Sequence, residues 1–150
     1  MSRTILRNAT LLLALAGTAC VMPPAERAAL PVERSTADVS GMQNRLFDTS
    51  DATRVMRGIV STLQDRGYRI AEVDRARGRV TATRGSATRL VVQQQPAGEG
   101  RIRVTADSYA RWDAKDQQVD AAEYYEVNLF APLGEALGLP ALGVPAGASS

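Results

Sequence analysis

The chain predicts a two-layer α+β domain: an antiparallel sheet of four to five strands with two helices packed on one face, in the order β-α-β-β-β-β-α. Three patterns carry this reading. Apolar residues recur at steps of three and four through residues 52–63, short alternating runs follow between 68 and 107, and Tyr125, Leu129, Leu133 and Leu137 form a second stripe. Strands so closely spaced, with Gly- and Pro-bearing turns between them, read as a meander with one covered and one wet face. Both helical stripes then need the covered face.

The first element is a short strand, Arg45 to Asp48. Thr49, Ser50 and Asp51 follow as a helix N-terminus, where side-chain oxygens accept orphan N–H groups. The helix predicted over 51–66 turns Ala52, Val55, Met56, Ile59, Val60 and Leu63 inward, with Gly67 as its left-handed stop. Tyr68 and Ile70 open a strand whose phase breaks at Glu72 and Val73, which predicts a bulge. Asp74 to Gly78 reads as a turn and Arg79 to Arg84 as a strand with Val80 and Ala82 inward. After Gly85 and Ser86, a third run is led by Leu90, Val91 and Val92. Pro96 to Gly100 makes a hairpin loop, and Ile102, Val104 and Ala106 then alternate with Arg101, Arg103, Thr105 and Asp107. Residues 113–120 read as a polar crossover to the last helix. Pro132 either kinks that helix or opens a shorter second one, because it lacks an N–H and its ring crowds the carbonyl of Asn128. Tyr124 and Tyr125 are adjacent; Tyr125 joins the leucine stripe and Tyr124 is expected outside.

Four segments organise the chain: a signal peptide (1–19), an anchor and flexible tether (20–44), the single α+β domain (45–138), and a disordered Pro/Gly/Ala/Ser tail (139–150). Arg3 and Arg7 precede a short apolar run from Ala9 to Ala16, followed by the small residues Gly17, Thr18 and Ala19. At roughly 1.5 Å per residue that run falls well short of the ~30 Å bilayer core. Cys20, the only cysteine, stands immediately after it and resembles the lipobox cysteine of bacterial lipoproteins, although Gly17 sits where leucine is usual. The resemblance implies that Cys20 is diacylated on sulfur, becomes the new N-terminus and is acylated again, so that lipid holds the chain on a membrane. Ordinary cleavage leaving Cys20 as a thiol is the other reading. An unpaired thiol is unusual in an oxidising envelope, which favours acylation.

Leu46-Phe47-Asp48, the helix with Val55 and Leu63, Gly67-Tyr68-Arg69-Ile70, Asp74-Arg75 and Gly78 resemble small Gram-negative envelope lipoproteins of unassigned function. The same run is similar, more loosely, to the repeated domains of the lipoprotein C subunit of the β-barrel assembly machinery. The resemblance implies a compact domain without enzymatic activity that works through contacts with other envelope proteins. Under the envelope sorting rule of enteric bacteria, Val21 after the anchor implies the outer membrane, facing the periplasm.

Composition narrows the chemistry. The chain has no histidine and no cysteine beyond Cys20, which removes the common zinc and copper ligands and the usual nucleophile pairs. No Gly-rich phosphate loop or nucleophile elbow is present either. Neither cofactor nor metal is expected. Glu72 with Asp74, and Asp113 with Asp116, are the available acid–base pairs and read as turn carboxylates. Residues 1–19 hold two arginines and no acid, so their removal leaves a formally neutral chain with no general attraction for nucleic acid.

Two surfaces remain as candidates. Arg79, Arg89, Arg101 and Arg103 lie at outward strand positions and would form an anion-binding face for lipopolysaccharide phosphates or peptidoglycan carboxylates. Tyr109, Arg111 and Trp112 form an aromatic-basic cluster of the composition that anchors protein partners. The sequence therefore predicts a lipid-anchored, non-catalytic domain that binds another envelope component, with anionic glycan or lipid binding as the alternative.

Overall fold

The computed structural model describes residues 36–144, so the expected signal peptide, Cys20 and most of the expected tether lie outside the described residues. The elements are α1 (Thr36–Gln43), β1 (Asn44–Phe47), α2 (Ala52–Asp65), β2 (Arg69–Asp74), β3 (Arg79–Arg84), β4 (Thr88–Pro96), β5 (Ile102–Trp112) and β6 (Lys115–Gln118). A composite last helix follows, made of α3 (Ala122–Tyr125), a π-helical stretch (Glu126–Phe130) and α4 (Ala131–Leu137), before β7 (Leu142–Gly143). The α+β class holds, but the sheet is larger than predicted, with seven strands in the order β2-β3-β4-β5-β1-β7 and β6 also paired to β5.

Two extra strands and one extra helix come from segments read otherwise. The polar crossover folds back as β6 on the far half of β5, Tyr109 opposite Gln118 and Trp112 opposite Lys115. β1 takes the near half of β5, so one long strand serves two neighbours along one edge. Leu142 and Gly143, assigned to the tail, pair with Leu46 and Arg45 of β1. Residues 36–43, assigned to the tether, form α1, whose Met42 and Gln43 are buried.

α2 forms where its stripe and cap dictate. Asp51 accepts the Arg54 N–H at 2.8 Å, and at the other end Gly67 (φ 78°) lets Tyr68 N–H return to Leu63 O at 2.9 Å. Val55, Met56, Ile59 and Leu63 are buried as expected, whereas Ala52 is exposed at the first turn. The core lies between this helix, the composite helix and the inner sheet face, which contributes Phe47, Val80, Ala82, Leu90, Val92, Ile102, Val104 and Ala106. The register shift predicted in β2 falls between Ile70 and Glu72.

Pro132 is accommodated by the π-helical stretch directly before it. Ala131 N–H reaches Glu126 O across the wider turn, and Asn128 Nδ2 donates to Tyr124 O at 2.8 Å. Tyr124 is buried beside Tyr125, contrary to expectation, with ring centroids 5.5 Å apart in a T-shaped pair.

Candidate functional site

The aromatic-basic cluster is at the β5–β6 hairpin. Asp113 (φ 48°) and Ala114 (φ 61°) form its two-residue turn with both residues left-handed, the turn geometry that matches strand twist. Trp112, the last residue of β5, is 65% exposed. Arg111 Nε is bonded to Asp116 Oδ1 across the hairpin at 3.0 Å, which fixes its direction. Tyr109 lies two residues back, with the Arg89 guanidinium 4.8 Å from its ring centroid. Alternation along β5 puts Tyr109 and Arg111 on one face, where Arg89 of β4 joins them, and Trp112 on the other face at the strand's end. This is a raised, pre-shaped edge with a large aromatic side chain held in water.

Three of the four arginines, Arg79, Arg89 and Arg103, stand at outer-face positions but well apart, and Arg101 is in the loop before β5. Arg79 is opposite Gln93, and Arg89 lies four residues along β4, about 13 Å away at ~3.4 Å per residue. Arg103 is opposite Gln95, six residues along the same strand from Arg89, or about 20 Å. Arg101 is ion-paired with Glu99 in its own loop. Carboxylates fill the intervening rows: Asp74 opposite Arg79, Glu72 opposite Thr81, and Asp107 opposite Val91. Cations and carboxylates therefore alternate over this face, and the arginines stand apart on it rather than in one cluster.

Sequence reasoning missed two features. The first is a buried hydroxyl cluster. Tyr68 and Tyr124 hydroxyls lie 2.7 Å apart, Ser108 Oγ donates to Tyr124 Oη at 2.9 Å, and Tyr125 Oη donates to Val119 O at 2.7 Å. Gln43 Nε2 and Ser108 N–H both donate to Tyr125 Oη at 3.2 Å. Burial, more than any neighbour, pushes the Tyr68 phenol well above its ordinary range and raises that of Tyr125, against the bonds it accepts from Gln43 and Ser108. These neutral, satisfied groups join α1, β5 and α3 and serve packing. The second feature is a groove of about 360 Å³ between α2 and the sheet at β2, lined by Met56, Arg57, Val60, Val73 and Arg75 among others. The broken phase at Glu72–Val73 was its only sequence signal.

Among the described residues, no helix is long and apolar enough to cross a membrane. No group of three or more His, Cys, Asp or Glu side chains gathers there as for a metal. The fold and surfaces define a small α+β domain with an aromatic hairpin edge. Comparison with known proteins finds no family model and no curated protein that matches the chain.

Proposed function

We propose that this chain is a non-catalytic binding domain, held on a bacterial envelope membrane by lipid on Cys20 and presenting the β5–β6 hairpin to another envelope protein. The observation that carries the binding part is Trp112, largely exposed at the end of a strand whose turn, ion pair and Arg89–Tyr109 contact fix it in place. Burying such a ring on a partner gains much apolar area at little entropic cost, because the hairpin is already ordered. The location rests on the lipobox-like run before Cys20.

The test is a photo-crosslinking amino acid in place of Trp112 in growing cells. A discrete adduct that Arg111→Glu weakens supports the reading; no adduct at any growth stage overturns it. Detergent phase partitioning checks the anchor, since wild type is expected in the detergent phase and Cys20→Ala in the aqueous one. Salt-sensitive binding of purified lipopolysaccharide or peptidoglycan, without a protein adduct, would support the anionic ligand instead.

A further inference from the structure

β2 is the terminal strand of the sheet, and among the described residues nothing pairs with its outer edge. Its sequence, Arg69-Ile70-Ala71-Glu72-Val73-Asp74, has an order that complements itself when reversed. We propose that β2 pairs antiparallel with β2 of a second copy of this chain, about a two-fold axis between Ala71 and Glu72. Arg69 then faces Asp74 of the second copy and Ile70 faces Val73, each twice.

The bulge makes this register work. In a regular strand side chains alternate, so Ile70 and Val73, three residues apart, would lie on opposite faces and could not oppose each other. Here the shift between Ile70 and Glu72 reverses the phase. Ile70 is opposite Ala82 and Val73 opposite Val80, both buried positions of the inner face. Arg69 and Asp74 are opposite Thr83 and Arg79, on the outer face. Since Val80 and Ala82 are two apart on β3, Ile70 and Val73 also present the same backbone groups to the free edge. Both copies place their extra residue at the axis, so the two irregularities meet and the flanks stay in step.

Charge favours the same register. Arg69 is exposed and has no ion-pair partner among the described residues. In the pair it faces Asp74 of the second copy directly and Glu72 diagonally. Asp74 already holds Arg77 at 2.9 Å, so the carboxylate is in place and charged.

The test is sedimentation of the full acylated chain in detergent solution. Wild type is expected as a dimer at micromolar concentration, Arg69→Asp is expected to weaken association at least tenfold, and the double variant Arg69→Asp/Asp74→Arg to recover it. Because Asp74→Arg also removes a turn contact, a second arm uses Ala71→Cys. Oxidation should link two copies there, whereas wild type and Ala87→Cys, on the distant β3–β4 turn, should not link. A monomer throughout, or a dimer unmoved by Arg69→Asp, overturns the proposal. So does Ala71→Cys that links only to a different protein, which would give the edge to a foreign strand.

Discussion

Gly78 closes the β2–β3 turn with φ 66°, and a Cβ built there would sit 2.5 Å from the carbonyl oxygen of Gln94. That oxygen is main chain, held because Gln94 N–H donates to Gly78 O at 2.8 Å, and it cannot step aside. Gly85 has a similar φ of 60° with nothing within 4 Å. The two positions separate backbone strain from collision. Gly85→Ala is expected to cost about 1–2 kcal/mol through left-handed geometry alone, and Gly78→Ala about 3 kcal/mol or more, as read by urea denaturation. Ala114 offers the reverse case, since an alanine already bears the left-handed position of the hairpin turn (φ 61°). Ala114→Gly should gain about 1 kcal/mol by the same measurement, while leaving Trp112 exposed.

The composite last helix shows how far a pattern can be read at the level of elements. Tyr125, Leu129, Leu133 and Leu137 are spaced by four, more than the 3.6 residues of an α-turn, and all four are buried. A straight α-helix would drift off its seam; the wider π-helical turn absorbs the excess beside Pro132. The spacing was visible in the sequence, but the turn that makes use of it was not. Asn128 completes the arrangement, donating to Tyr124 O at 2.8 Å and accepting from Arg84 Nη1 at 3.0 Å. Asn128→Ala is expected to cost about 1 kcal/mol, which for a domain near 100 residues lowers the melting midpoint by about 4–8 °C. α2, β3 and the bulge in β2 were legible because cap, stripe and alternation agree there. β6 was not: Lys115-Asp-Gln-Gln has no apolar alternation, and it is a strand only because β5 runs past β1 and offers a free edge. β7 likewise exists through pairing with β1. The spread of the arginines was illegible for a related reason. Outward positions follow from alternation, but neighbours follow from register, and β4 separates Arg79 from Arg103.

Across the whole molecule, the buried phenols link packing to proton binding. Tyr68 and Tyr125 sit in the core with their hydroxyls bonded, and burial raises both from the ordinary value of 10.0. The neutral form is the one the fold holds. Below pH 10 both folded and unfolded chains keep these protons, and the stability of the domain is unaffected by them. Above pH 10 the unfolded chain releases protons that the folded chain retains, so stability falls as pH rises. Each phenol that stays protonated in the fold contributes a slope of up to about 1.4 kcal/mol per pH unit. Urea midpoints measured from pH 9 to 11.5 should therefore be level at first and then decline steeply. Tyr68→Phe removes one of the two phenols while Ser108 still bonds Tyr124, so it should lower stability by about 1 kcal/mol at neutral pH and make the alkaline decline shallower. A decline equally steep in that variant would mean that Tyr68 ionises freely in the folded state, and that its bond to Tyr124 does not hold the start of β2 against the last helix.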